Sequence, residues 1–315
     1  MLASIVIRTL NEARHLDDLL ISVKQQETAG LKWEVVLVDS GSTDGTLEIA
    51  ARHGCRILHI TREEFSFGRS LNMGCAASRG DILVFISGHC VPARPDWLQT
   101  LCQPLIEGKV AYSYGRQIGD DDSYFSERRI FAKYFPAVSA IPQSGFYCNN
   151  ANSALRRADW EDTPFDEGLT GLEDMDVAKR LVQKGRPIGY VAEAFVYHHH
   201  QESWRSVRRR FEREAIALQQ IMPEVHISPL DVLRYFFSSV SMDWRSARRH
   251  GQLGGRWLEI LQYRAMQFWG AYMGNHEHRK LSHRQKEIYY YPSTETDESN
   301  DWLFSHRRPS PNEGK

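Results

Sequence analysis

Apolar positions along the first ninety residues alternate between two rhythms. Residues 3–8 (ASIVIR) form a short run rich in β-branched side chains that stops at Thr9, and NEARHLDDLLISVKQQ follows with apolar residues at helical spacing. The alternation then repeats. WEVVLVDS (33–40) is a strand ended by GSTDGT, 47–53 is helical, CRILHI (55–60) is strand-like, and DILVFIS (81–87) is a fourth buried strand. Short apolar runs separated by amphipathic ones predict a mostly parallel sheet with helices on both faces. In FISGHCVP (85–92) the fourth strand breaks at Gly88 and presents His89 at its tip. Ligands of such sheets bind beyond the carboxyl ends of the strands, which makes His89 a site candidate.

A second stretch, about 110–200, carries YSYGRQ, an aromatic region, CNNANSALRR, FDEGLTGLEDMDVAKRLVQKG and PIGYVAEAFVYHHH. MDVAKRLVQKG reads as a helix closed by Gly185, and YVAEAFVYH as a strand ending in histidines. Beyond 203 the pattern becomes helical, basic and aromatic. The last residues are polar with Pro and Gly, and are expected to be disordered. The expected domains are a catalytic unit over 1–203, a basic, aromatic-rich helical region over 204–291, and a disordered tail over 292–315.

Composition narrows the class. Hydrophobic residues are 42% and charged residues 25% of 315, as in an ordinary globular protein. The net charge of −1 gives no global field for nucleic acid, and no nucleic-acid partner is expected. The charge is uneven, however: residues 201–290 hold 15 Lys/Arg against 9 Asp/Glu, a local +6. Five cysteines without CxxC spacing argue against a disulfide framework and for a reducing compartment. The start MLASIVIRTLNEARHL does not read as a signal peptide, and no apolar run reaches bilayer-spanning length. The expected location is the cytoplasm.

Three segments carry candidate chemistry. In VVLVDSGSTDGT a strand delivers Asp39 to a turn, where it accepts hydrogen bonds from a nucleobase or ribose, or where the segment is simply a helix cap led by Ser42 or Thr43. In GLEDMD, Glu173 and Asp174 open a helix, either as a general base kept ionised by the dipole or as a first-turn acidic cluster. In VYHHHQES, His198 and His200 fall on one side of a strand, as ligands for metal or phosphate or as a solvent-facing strand end. Arg69 in SFGRSLN is a donor contact or a surface residue. Arg205, Arg208 and Arg209 reach a leaving diphosphate or form a solvated helix face.

Taken together, IRTLNE, VDSGSTDGT, the strand end at 87–89, NNANSALRR, GLEDMD and a strand ending in His resemble, in that order, a family 2 glycosyltransferase over residues 3–203. EEFSFGRSLNMGCAASRGDILVFIS further resembles the bacterial rhamnosyltransferase-like subgroup. The resemblance implies an α/β GT-A-type fold: a mostly parallel nucleotide-binding sheet flanked by helices, with a C-terminal helical appendage. It also implies inverting transfer from a UDP- or dTDP-linked sugar to a glycan or lipid-linked glycan, as in bacterial surface polysaccharide synthesis. Asp174, with Glu173, matches the catalytic ED pair. Asp39 matches the base contact, and Thr9, Asn11 and Glu12 match the loop beside the nucleotide, with Ser42, Arg69 and Ser87 as further donor contacts.

Ser87-Gly88-His89 falls where the family carries an Asp-x-Asp metal motif. The implied cofactor is a divalent cation, Mn²⁺ or Mg²⁺, held by His89 with His198 or His200 and diphosphate oxygens. Imidazole suits Mn²⁺ better than Mg²⁺. The alternative is that His89 and nearby arginines offset the diphosphate directly. The aromatic, basic C-terminal helices either contact the inner face of the membrane peripherally or pack on protein. The competing reading of the whole chain is a catalytically silent nucleotide-sugar or glycan-binding module.

Overall fold

The structure, a computed structural model, describes residues 1–120, 123–199 and 202–276. His200, the tail over 292–315 and the end of the helical region lie outside the described residues.

The first half alternates as its pattern predicts: β1 (Leu2–Thr9), α1 (Ala13–Lys24), β2 (Lys32–Asp39), α2 (Thr46–Arg52), β3 (Arg56–His59), α3 (Phe67–Ala77) and β4 (Ile82–Ser87). These strands pair in parallel in the order β3-β2-β1-β4. Both faces are covered over β1, β4 and the end of β2, which is why these stretches are apolar rather than alternating, while the edge strand β3 is only partly buried. Ala3, Ile5 and Ile7 of β1 enter one core with Leu16, Leu19 and Leu20 of α1, while Val6 enters the other with Leu71 and Cys75 of α3. Gly74 lets α3 lie close, since a Cβ there would meet Val6 Cγ1 at 2.4 Å.

The second half extends the sheet with mixed directions. It comprises β5 (Cys90–Pro92), α4 (Trp97–Ile106), β6 (Tyr112–Gly119), α5 (Phe125–Tyr134), β7 (Asn152–Arg156), α6 (Arg157–Asp162), α7 (Glu173–Gln183) and β8 (Ile188–His198). The full order is β3-β2-β1-β4-β7-β6-β8-β5, with four pairings parallel, while β4–β7, β6–β7 and β5–β8 are antiparallel. A bulge between Gly115 and Gln117 bends β6 along β8. A Cβ at Gly115 would sit 2.1 Å from the Ala194 carbonyl oxygen, so only glycine permits this approach. Asn152 is buried with its polar atoms used: it accepts from Trp97 Nε1 at 2.9 Å and donates to the Ala194 carbonyl at 2.8 Å.

Three helices follow: α8 (Trp204–Ile221), α9 (Pro229–Arg249) and α10 (Leu253–Asn275). Helix α10 approaches α8 through glycines, where a Cβ at Gly274 would stand 2.1 Å from the Glu212 carbonyl oxygen. Buried Asp243 of α9 accepts from Arg264 of α10 at 2.8 Å and from Ser126 of α5 at 2.7 Å, which ties the helices to the sheet unit. Helix α9 starts with a capping box of Ser228 and Asp231. All five cysteines are free. Among the described residues no helix is long and apolar enough to cross a membrane.

Candidate functional site

The carboxyl ends of β1, β2 and β4 meet the end of β8 around a cleft of about 550 Å³. That volume suits a sugar nucleotide, since ligand pockets span roughly 300–1,000 Å³. Its floor is set by two interlocked loops. Thr9 and Asp39 are register partners at the ends of β1 and β2, and Thr9 Oγ1 donates to Asp39 at 3.0 Å. Asp39 also accepts from the Gly41 and Ser42 amides at 2.9 Å and 3.0 Å and from Ser42 Oγ at 2.5 Å. Asn11, at φ 58°, donates its amide to Ser42 Oγ and accepts from the Thr43 amide, each at 2.9 Å. Asp44 accepts from the Ala13 amide at 3.0 Å. These bonds fix where Glu12 leaves the backbone.

Glu12 then reaches His89. Its Oε1 lies 2.9 Å from His89 Nδ1. Gly88 makes room, because a Cβ there would lie 2.8 Å from Glu12 Cγ. The antiparallel register Cys90↔His198 brings β5 beside the end of β8, and the two imidazoles meet with Nε2 atoms 3.1 Å apart. His198 Nδ1 faces Gln117 Oε1 at 2.7 Å, and Gln117 Nε2 in turn donates to Asn149 Oδ1 at 2.9 Å. In the tautomers that place hydrogen on Nδ1 toward these oxygens, the Nε2 lone pairs point at each other. Such a contact is repulsive unless a cation lies between them: a proton shared by the pair, or a metal ion. Octahedral bonds of about 2.2 Å place neighbouring ligands roughly 3.1 Å apart, and outer-shell carboxylate and amide partners are the usual supports of metal-binding imidazoles. Burial opposes the His89 imidazolium, but the Glu12 carboxylate outweighs it and the pKa is raised. Among the described residues no group of three or more His, Cys, Asp or Glu forms a ready-made cage. The residues present fit a cation whose remaining ligands come from a substrate.

A second imidazole pair flanks the first. His199 Nδ1 sits 2.6 Å from Asp120 Oδ2, and its ring stacks on His15 at 4.5 Å. Burial and the neighbouring imidazole lower the His15 pKa.

Another wall holds the carboxylates. Glu173 and Asp174 open α7 after Leu172, whose φ of 56° turns the chain into the helix. Asp174 accepts from the Asn150 amide at 2.7 Å and the Met175 amide at 2.8 Å. Those bonds favour the anion, yet burial and then the charge of Glu173 prevail, and the pKa is pushed up to about 7. Arg8 lies 3.4 Å from Glu173 and, with Arg213, flanks the Phe67 ring at 4.8 Å and 4.5 Å. Asn150 holds its side chain through Tyr112 and Ser153, leaving Nδ2 buried without a partner beside Asp174.

The cleft thus gathers Asn11, Glu12, Ser87, His89, Glu173, Asp174 and His198. Thr9, Asp39 and Ser42 stand behind it as loop supports. Asp39 is 1% exposed and its carboxylate already accepts four hydrogen bonds. Arg69 lies elsewhere, paired with Glu167 at 2.8 Å and donating to the Glu64 carbonyl at 3.1 Å. Of the arginines after the histidine strand, Arg210 and Arg213 line the cleft rather than Arg205, Arg208 or Arg209. The helical period of α8 decides which face turns inward. Gln117, Asn150, Arg8 and Phe67 also line the cleft; each lies inside a motif read in the sequence, but none was named there individually.

Comparison with known proteins agrees with this geometry. Residues 4–164 match the profile of Glycosyl transferase family 2. The O-antigen chain rhamnosyltransferase RfbN of Salmonella typhimurium is 25% identical over 225 residues, covering 67% of this chain and 70% of that protein. The mannosyltransferase PcManGT from Pyrobaculum calidifontis, solved with GDP-Man and Mn²⁺, superposes with a TM-score of 0.57 at 17% identity, covering 86% of this chain and 84% of that one. Glucosyl-3-phosphoglycerate synthase from Mycobacterium tuberculosis, solved with Mn²⁺, UDP-Glc and phosphoglyceric acid, gives 0.51 at 22% identity, covering 70% and 79%. Both share the GT-A fold with this chain.

Proposed function

From the premise that this chain belongs to glycosyl transferase family 2, and is a glycosyltransferase, we propose that it moves a sugar from a UDP- or dTDP-linked donor to a hydroxyl of a glycan or lipid-linked glycan, with inversion. The observation that carries this reading is a buried carboxylate titrating near neutrality in the same cleft as a cation-demanding imidazole pair.

Asp174 acts as the general base. With a pKa of about 7 it is ionised in a large fraction at neutral pH and still basic enough to accept a proton from an attacking hydroxyl. The Asn150 and Met175 amides hold its two oxygens in place. Glu173 orients Arg8. Asn150 Nδ2 donates to an acceptor or donor oxygen beside the base. On the other side, His89 and His198 would hold Mn²⁺ or Mg²⁺, which would supply positive charge for the leaving diphosphate. Arg210 adds cationic charge to that end, Arg213 stands with Arg8 at the Glu173 wall, and Asn11 and Ser87 contact the nucleotide. Asp39 shapes the floor, and a base imide reaching it takes the place of the Ser42 hydroxyl.

Similarity to RfbN supports a role in surface polysaccharide synthesis with a rhamnosyl donor. The first half of α9 supports a peripheral membrane contact: Leu230, Leu233 and Phe237 are 77%, 53% and 65% exposed there. The test is turnover of UDP- and dTDP-sugars by the purified protein, with and without acceptor, with EDTA and with Mn²⁺ restored. Donor binding without any turnover across that screen refutes the transferase reading of this cleft.

A further inference from the structure

A second cavity lies on the far side of α5. Phe131 of this helix lines the cleft described above, while Arg129 lines the other cavity. Two residues apart on a helix is about 160° around its axis, so the sites face opposite ways. The second cavity measures about 210 Å³ and is bounded by Arg129, Met242, Arg245, Ser246 and Arg249. That lining holds three guanidiniums, a hydroxyl and no carboxylate.

The charges are poorly balanced from behind. Asp243 stands 3.5 Å from Arg129, but it is already engaged by Arg264 at 2.7 Å and by Ser126 Oγ at 2.7 Å. Arg129 Nε is buried without a hydrogen-bond partner. Arg245 and Arg249 are exposed and one turn apart on α9. Neither pairs with a carboxylate of any described residue. Like charges at that spacing repel, so an arrangement converging on one hollow is completed by an anion. We propose that Arg129, Arg245, Arg249 and Ser246 form a phosphate site for a phosphomonoester or diphosphate group, separate from the cleft. Guanidinium forks match phosphate oxygens two at a time, and Ser246 Oγ supplies a further donor. The same helix exposes Met242 at 53% beside these arginines, an apolar neighbour that suits a phosphate carried on a lipid. Free phosphate is the other source. The inference does not depend on the transfer reaction.

The test uses the full chain and Arg245→Gln/Arg249→Gln, surface changes that keep helix propensity and leave the melting temperature in place. Flotation with phosphatidylcholine vesicles doped with phosphatidic acid is the first arm, and calorimetric titration with sodium pyrophosphate is the second. Each arginine near an anionic bilayer is worth about fivefold in affinity, so the double variant loses roughly 30-fold in vesicle binding if the phosphate is lipid-borne. Unchanged vesicle binding with weakened pyrophosphate binding assigns the site to soluble phosphate. Equal behaviour of the two proteins in both arms overturns the proposal.

Discussion

Replacing Asp174 by Asn pits stability against activity, and the structure gives both signs. The folded carboxyl titrates at about 7 against 3.8 for the unreacted side chain. Between those values the folded protein holds a proton that the unfolded chain has released. Stability therefore declines as pH rises across that window, by at most about 4 kcal/mol at roughly 1.4 kcal/mol per unit. An amide removes that penalty but introduces another. The Asn150 amide binds Oδ2 and the Met175 amide binds Oδ1, so one of them must face an NH₂ group. A buried donor left unmatched costs about 1–3 kcal/mol. The difference is a net gain of roughly 1–3 kcal/mol above pH 7, a melting temperature higher by a few degrees. Below about pH 4 the unfolded chain keeps its proton as well, the penalty is gone, and the variant is the less stable protein.

Activity moves the other way. Loss of a general base costs on the order of 10²–10⁴ in rate, and the wild-type rate should rise with pH through an apparent pKa near 7. The assays are thermal melts of both proteins at pH 4 and pH 8, with donor turnover alongside. A stability difference that does not change sign with pH refutes the buried-carboxylate account, and a variant with near-wild-type turnover refutes the base assignment.

Gly88→Ala should lower metal affinity about 10–100-fold, since its Cβ would push Glu12 from its place behind His89, 2.8 Å being too close. Metal titration of activity checks this, and melting should hardly change because Glu12 is the part that yields. His89→Asp should raise Mg²⁺-supported activity relative to Mn²⁺, as an oxygen ligand replaces nitrogen; an enzyme insensitive to EDTA contradicts the metal role of this residue. Gly274→Ala should destabilise by about 1–3 kcal/mol despite better helix propensity, because its Cβ would stand 2.1 Å from a backbone oxygen of α8 that cannot step aside. Its melting temperature reads the result, and a stabilised variant contradicts the packing.

Strands β1, β2 and β4 were legible because their central residues are buried on both faces and so read as apolar runs. The short antiparallel strand β5 was not. Three residues long, it carries no period, and its pairing is set by β8 more than a hundred positions later. That pairing creates the histidine contact, so His89 and His198 were legible as candidates but not as partners. Glu12 was legible as a loop residue, yet its grip on His89 follows from the interlocked turns of β1 and β2. Asp174 stood out by its place in GLEDMD, while its raised pKa comes from burial that no local sequence reports. Arg69 was open between a donor contact and a surface residue, a choice the motif around it could not make; in the fold it pairs with Glu167 away from the cleft.

The charges around the cleft favour a metal ion over imidazolium. Among the described lining residues are five carboxylates (Glu12, Glu173, Asp174, Glu202 and Glu214) and four guanidiniums (Arg8, Arg14, Arg210 and Arg213). With Asp174 ionised, as the proposed base requires, the wall is about one charge negative before any donor enters. A diphosphate adds about two more, and like charges near 4 Å cost on the order of 4 kcal/mol each at an effective dielectric constant of about 20. The imidazole pair can offset only part of this with protons. With its Nε2 atoms 3.1 Å apart the pair has room for one shared proton, which would leave a single positive charge for both rings. Adding protons by lowering the pH also protonates Asp174 and removes the base. A dication between the same two nitrogens brings twice the charge and leaves Asp174 ionised, so one pH serves both donor binding and proton removal.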